Sequence, residues 1–365
     1  MDYALIRNSQ CYKLFKFLYK LNLNKLLLVV GLTALTLLIA FLVWWQWGSN
    51  IISIKNEDQR PRASLTGLVC DKYARRPIAV MMASDPVARP LSGIGQADIV
   101  VEMPVTPNGI TRMMAIFQCE PFNDNQGGEL FEIGSIRSAR EDFLTIAGSF
   151  GALYVHWGGE AEALKKLNNG ILDNINAMKY EGSVFYRKVS IPKPHNGFTT
   201  IALLADKAEE LGYDLNDMFS GYARGEEKSE SRRGTRAEPG LRRSLSNIVE
   251  TISIDYESPY DIKWTYNGDS DTYKRVRGGE AEMDRNTGKQ VETNIIVLMH
   301  TVSSPINLDY ITVKTVGEGE AEFYQNGIRI SGVWKNIAND LKFYDNDGQE
   351  MKFIPGKMWI EIITE

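Results

Sequence analysis

"GELFEIGSIRSAREDFLTIAGSFGALYVHWGGEAEALKKLNNG", residues 128–170, decides the fold class. "GELFEIGSI" reads as a strand and "SAREDFLTIAG" (138–148) as a helix. "ALYVHWGG" (152–159) reads as a buried strand, and "EAEALKKLNNG" (160–170) as a second helix ended by Gly170. Ser138 and Glu141 have capping-box spacing, with Ser at the N-cap and Glu three residues on. Strand, helix, strand, helix in this order predicts at least one parallel βαβ unit inside a mixed sheet, because a parallel crossover needs a dozen or more residues between strands.

Outward from this stretch the same pattern continues. "PIAVMM" (77–82), "ADIVVEMPV" (97–105) and "ITRMMAIFQC" (110–119) are strands, the last two joined by the turn signal "TPNG". "TTIALLADKAEELG" (199–212) is an amphipathic helix capped by Thr199 or Thr200. Residues 77–221 are therefore expected to form an α/β mixed-sheet domain. Residues 222–246, "YARGEEKSESRRGTRAEPGLRRSLS", are charged and aperiodic and read as a linker or long loop. From 247 to 365 short β-rich runs such as "YDIKWTYNG", "DTYKRVRGG" and "KMWIEIIT" alternate with Gly, Asn and Asp turns, which predicts a C-terminal antiparallel β-rich domain.

The N-terminal part differs in kind. "LLLVVGLTALTLLIAFLVWW" (26–45) has no charge and only Thr33 and Thr36 as polar breaks. At about 1.5 Å per residue it reaches about 30 Å, the hydrocarbon thickness of a bilayer. Trp44, Trp45 and Trp47 stand where an aromatic belt belongs, and Arg7, Lys13, Lys16, Lys20 and Lys25 precede the run against one acid, Asp2. The expectation is one transmembrane helix (26–47) after a cytoplasmic tail (1–25), then a spacer (48–76) and an extracytoplasmic remainder. The run exceeds a signal-peptide core, and "WWQWGSN" is no cleavage site, so it reads as an uncleaved signal anchor in the cell membrane.

Of 41 Lys and Arg and 46 Asp and Glu, five and one fall in the first fifty residues, so the remainder is mildly acidic. That argues against nucleic acid as a partner. Three cysteines, three histidines and no CxxC or HExxH argue against a zinc site, and no cofactor or metal is expected. Cys70 and Cys119 would lie in an oxidising space, where a disulfide between them is open, since spacing alone does not establish its geometry.

The candidate site starts from "IGSIRSARED" (133–142). Arg137 and Arg140 flank Ser138 where a strand hands over to a helix, and a guanidinium fork suits carboxylate or phosphate. His156, Gly158 and Gly159 end the next strand, where glycines let a ligand approach the backbone. His195 and Asn196 in "KPHNGFTT" (193–200) sit on a loop before a helix. His156 and His195 are the candidate acid–base pair. Arg112 and Glu102, on the hairpin strands, are placed to line the same region. Each also has a structural reading, the arginines in salt bridges, His156 in the core, Glu102 as a buried partner of Arg112.

"PIAVMMASDPVARPLSGIGQADIVVEM" (77–103), "GITRMMAIFQ" (109–118), "IGSIRSARE" (133–141), "YVHWGGEAEA" (154–163) and "KPHNGFTT" resemble successive blocks of the YerB-like bacterial lipoprotein family. "GEGEAEFYQNGIRISGVWKN" (317–336) is similar to its β-rich second part. The resemblance implies a two-part domain of unknown function. It also implies Arg89, Arg112, Arg137, Ser138, Arg140, His156, Gly158, Gly159, His195 and Asn196 as shared positions. This chain departs from the family by an apolar helix in place of a lipidated cysteine, by Ala83 and Ser84 where an acid and an amide are usual, and by Glu141 where proline is usual.

Three functions fit these residues. The first is a membrane-anchored extracytoplasmic protein binding an anionic or sugar-containing envelope ligand (a glycan, peptide or phosphate) in an Arg/His crevice. The second is an envelope hydrolase or transferase using His195 or His156, and the third a scaffold with a protein partner in a membrane complex.

Overall fold

The computed structural model describes residues 10–51, 60–119, 131–225 and 248–364. The chain divides into two units, Met1–Gln59 and Arg60–Glu365.

In the first unit, α1 (Gln10–Ile51) is a 42-residue helix that contains the whole expected segment 26–47. The hydroxyls of Thr33 and Thr36 donate back to the carbonyls of Val30 and Thr33, so neither polar break leaves an unpaired group. Leu28, Leu35, Leu38, Phe41 and Trp44 are all exposed. In α1 the side chains are described without interruption only from 30 to 44. Among the described residues no helix is long and apolar enough to cross a membrane. The expected transmembrane segment is thus seen as a helix and not as a span.

In the second unit the first half of the chain gives β1 (Ile78–Ala83), β2 (Ile99–Pro104), β3 (Thr111–Phe117) and β4 (Glu132–Gly134). Then follow α2 (Glu141–Ser149), β5 (Leu153–His156), α3 (Ala161–Asn168), β6 (Asn174–Asn176), α4 (Ala177–Tyr180), β7 (Tyr186–Arg187), β8 (Gly197–Thr200) and α5 (Ile201–Glu210). The second half gives β9 (Thr251–Ile254), β10 (Ile262–Asn267), β11 (Thr272–Arg277), β12 (Glu280–Ala281), β13 (Glu292–Thr293) and β14 (Ile295–Thr301). It closes with β15 (Ser303–Pro305), β16 (Ile311–Val313), β17 (Gly317–Gln325), β18 (Ile328–Ile337), β19 (Asp340–Asp345) and β20 (Met358–Thr364).

One ten-stranded sheet, in the order β19-β18-β17-β14-β20-β2-β3-β1-β5-β6, takes strands from both halves. The final strand β20 inserts between β14 and β2 and runs parallel to both. The parts expected as separate domains therefore share a sheet, and the later half is not wholly antiparallel. The βαβ expectation holds for β5–α3–β6, with β1 and β6 both parallel to β5. It does not hold for β4, which pairs with β8 in a small separate sheet of β4, β8 and β7. The β2–β3 hairpin forms as expected, closed by Val105 N–H donating to the Ile110 carbonyl at 2.8 Å. At the β17–β18 turn Asn326 and Gly327 both have positive φ, the requirement of a tight two-residue hairpin.

Both faces of the central strands are covered, which is why β1, β2 and β3 are buried at every position instead of alternating. Ala79 and Met81 point to a core with Phe143, Phe150 and Trp334, and Val80 and Met82 to one with Ile201, Trp264 and Trp359. Thr200 caps α5 by accepting from Leu203 N–H at 3.2 Å. Ser138 does not cap α2. Its N-cap is Arg140, and the first N–H, of Glu141, is taken by the Glu160 carboxylate at 2.6 Å.

The described part of the expected spacer, 60–76, is folded onto the sheet, with Ala63, Leu65, Thr66 and Cys70 buried. Cys70 and Cys119 form a disulfide, Cα atoms 5.9 Å apart. Of the expected linker 222–246, residues 222–225 pack against the fold. Tyr222 is buried, and Arg224 donates to the Leu65 carbonyl at 2.6 Å. The rest of that segment lies outside the described residues.

Candidate functional site

β1 ends at Ala83, and the chain turns so that Asp85 faces Arg112, the second residue of β3. The strip 136–140 carries the "RSAR" arginines between the ends of β1 and β5. Arg137 N–H donates to the Met81 carbonyl at 2.8 Å, and Trp157 N–H to the Arg137 carbonyl at 2.9 Å. The "KPHN" loop is fastened to the same strip, with the Ser135 hydroxyl on the His195 carbonyl at 2.6 Å and Ile136 N–H on the Gly197 carbonyl at 2.9 Å. Arg112, Arg137, Arg140 and His195 thus meet, although β4 and β5 are not neighbours in one sheet.

Asp85 lies among them. Its carboxylate is 3.5 Å from an Arg112 terminal nitrogen and 3.6 Å from His195 Nδ1. It also accepts from the Tyr260 hydroxyl at 3.4 Å. Tyr260 follows β9, so both halves of the chain contribute to this cluster. Glu160 approaches Arg140 at 3.9 Å, and the Arg140 guanidinium lies 4.6 Å from the Tyr310 ring centroid. Three guanidinium groups face two carboxylates. The Nε atoms of Arg112, Arg137 and Arg140 and Nδ1 of His195 are buried with no hydrogen-bond partner. Burial, reinforced by Arg137, pushes Arg112 down to about 9 despite Asp85. Burial lowers Arg137 as well, Asp85 opposing. Burial also lowers His195, and Asp85 only partly offsets it. An excess of positive charge in a largely buried cluster favours an anion.

The other candidates have structural tasks. His156 is fully buried, with Nδ1 2.6 Å from the Gly158 carbonyl and Nε2 3.3 Å from Asn174 Oδ1. The catalytic role expected of it needs an accessible ring nitrogen, and neither is free. Gly158 N–H is held by Asn176 Oδ1 at 3.1 Å, and a Cβ on Gly159 would lie 2.9 Å from that of Ala139. These glycines serve the turn's packing. Asn196 accepts from Arg187 at 2.9 Å, and Arg89 braces the Ser84 and Pro259 carbonyls at 2.9 and 3.0 Å. Ser138 makes no cap. Among the described residues no group of three or more His, Cys, Asp or Glu could hold a metal.

Glu102 is not the partner of Arg112. It sits in a buried network of its own. In the parallel register of β2 and β20, Glu102 stands opposite Glu361. Arg275 bridges these like charges, 2.6 Å from Glu102 and 2.5 Å from Glu361, and also reaches Glu282 at 2.6 Å. Arg277 contacts Glu102 and Glu282 at 2.5 and 3.1 Å. The alternation of Arg275 and Arg277 on one strand face was visible in "DTYKRVRGG". Their partners lie on distant strands and had no local signal. Asp85 and Tyr260 were missed for the same reason.

This network gives the fold a pH signature. Burial pushes Glu361 up to about 7, against the pull of Arg275. Burial would raise Glu282 too, but Arg277 and Arg275 outweigh it and hold it at about 2. A raised carboxyl contributes stability that is complete below its unfolded value near 4.5 and is lost as pH rises to about 7. Burial lifts Asp142 to about 6, which acts in the same sense. Glu282 acts oppositely, its contribution failing as pH falls from about 4.5 toward 2. Thermal melts are expected to show maximal stability near pH 4.5 and a decline toward 7. Glu361→Gln should remove most of that decline, and an unchanged slope in the variant would refute the assignment.

The fold and crevice define an α/β protein completed by a β-rich second half. Residues 65–214 match the family described as "Protein of unknown function (DUF3048) N-terminal domain" and 252–360 its "C-terminal domain". The chain belongs to this YerB-like family. It is 31% identical over 330 residues to "Putative lipoprotein YerB" of Bacillus subtilis (strain 168), covering 86% of this chain and 92% of that protein. The crystal structure of the YerB protein from Bacillus subtilis superimposes with a TM-score of 0.71 at 28% identity, covering 84% of this chain and 97% of that one.

Proposed function

We propose that this protein is anchored in the cell membrane by residues 26–47, with its N-terminus cytoplasmic and its bulk extracytoplasmic. In this reading it binds an anionic or sugar-containing envelope ligand in the crevice of Arg112, Arg137, Arg140 and His195. The observation that carries the binding reading is the set of buried, unpartnered Nε atoms on all three arginines. The placement is supported by the charge asymmetry around the apolar run, by the Cys70–Cys119 disulfide, which suits an oxidising exterior, and by the lipoprotein name of the Bacillus relative.

The test is thermal unfolding of the full chain in detergent micelles with phosphates, carboxylates and envelope fragments. A ligand at a hundred times its Kd stabilises by about 2.7 kcal/mol. Such a shift is expected for the wild type and not for Arg137→Ala, whose ligand-free midpoint should change little. If no anion shifts the wild type and Arg137→Ala alone melts several degrees lower, the arginines hold the fold and the binding reading fails.

A second reading, an envelope hydrolase or transferase, is favoured by the 3.6 Å approach of Asp85 to His195, a carboxylate beside an imidazole whose pKa burial lowers. Turnover of any envelope substrate that survives His195→Ala would end it.

A further inference from the structure

Asp85 is out of place in a site built for a bare anion. Its carboxylate lies beside Arg112 and Arg137, two of the arginines that would receive the ligand, and any anion entering there meets a like charge. Its own contacts are all long, 3.5 Å to Arg112, 3.6 Å to His195 and 3.4 Å to Tyr260. Charge-assisted hydrogen bonds of a committed carboxylate run at about 2.7–2.9 Å. A carboxylate accepts at roughly four lone-pair positions, so Asp85 keeps accepting capacity toward the crevice. Arg137 and Arg140 lie close to Arg112, and all three have a buried Nε donor without a partner. The crevice therefore offers donors for an anion and, beside them, an acceptor that a bare anion cannot use.

We propose that the crevice selects an anion that also carries a hydroxyl group close to its charged end, with the arginines taking the anionic oxygens and Asp85 accepting from the hydroxyl. Sugar phosphates and hydroxy acids share this chemistry. The inference rests on the anion-binding reading above and adds to it a residue that sets specificity. A site that hydrogen-bonds a ligand hydroxyl rejects the analogue lacking it, because the polar group is then left unpaired. Here the rejected analogue also meets the uncompensated charge of Asp85.

The experiment compares matched pairs by calorimetric titration of the full chain in micelles. Glycerol 3-phosphate against propyl phosphate probes the phosphate source, and glycerate against propionate the hydroxy-acid source. The wild type should bind the hydroxylated member of at least one pair ten-fold or more tightly. Asp85→Asn, which keeps the shape, and Asp85→Ala should each reduce that preference below three-fold, and the unhydroxylated member should bind several-fold more tightly than it does to the wild type. Equal affinities within both pairs in the wild type would overturn the proposal, as would a preference that survives both variants. If none of the four anions binds, the crevice reading itself fails and the selectivity falls with it. If they bind but Arg137→Ala leaves their affinity unchanged, they bind elsewhere, and both readings fail.

Discussion

Arg275→Ala is expected to destabilise the folded unit by about 3–5 kcal/mol, the range for removing one partner of a buried ion pair. For a unit of this size that is roughly a 5–10 °C drop in midpoint. The reason is geometric. Glu102 and Glu361 face each other across adjacent parallel strands with no exposed surface, and Arg275 is the group between them. Without it, one carboxylate keeps Arg277, and Glu361 keeps only the hydrogen bonds from Trp264 at 3.2 Å and Tyr256 at 3.4 Å. The loss should shrink when Glu361→Gln is added, since the stranded charge is then gone. Thermal melts of the two single variants and the double variant at one pH decide this. Additive losses would mean that Arg275 acts through its packing between Trp264 and Trp359, whose ring centroids lie 4.7 and 3.9 Å from its guanidinium carbon.

Reducing the Cys70–Cys119 disulfide should lower stability by about 4 kcal/mol in the chain-entropy account, for a closed loop of 49 residues. The bridge ties the segment around Leu65 to the end of β3, and Gln118 beside it accepts from Leu65 N–H at 3.2 Å. Cys70→Ser and Cys119→Ser should each show the full loss and the double variant no more, because all three lose the same crosslink. A double variant twice as damaging as either single one would show that the thiols matter through separate packing.

Local pattern made much of this molecule legible. The helix through 26–45 follows from an uninterrupted apolar run, the β2–β3 hairpin from "TPNG" between two strand-like runs, and the start of α5 from a threonine before an amphipathic stretch. Nothing in the local order of residues says whether "RSAR" and "PHN" meet. The two segments do meet, but they are fastened by backbone hydrogen bonds of an irregular strip and not by parallel neighbouring strands. The capping of α2 shows the limit of local reading. Ser138 and Glu141 have the right spacing, yet Glu160 supplies the acceptor, since a tertiary contact places a carboxylate where the serine does not reach.

The sequence by itself determined the period of each element, the asymmetry of charge about the apolar helix, the turn positions and membership of a two-part family, because these depend on residues within a few positions of one another. Only the tertiary structure decided that β20 enters the middle of the sheet and makes one body of two apparent domains. It alone decided that Glu102 answers Arg275 and Arg277 and not Arg112, and that Asp85 and Tyr260 complete the crevice. The contacts of Glu102 with Arg275 and Arg277, of Asp85 with Tyr260 and of β20 with β2 join residues more than a hundred positions apart. They exist because strands distant in the chain become neighbours when both faces of the sheet are buried, and nothing in the local order of residues records which strand that neighbour will be.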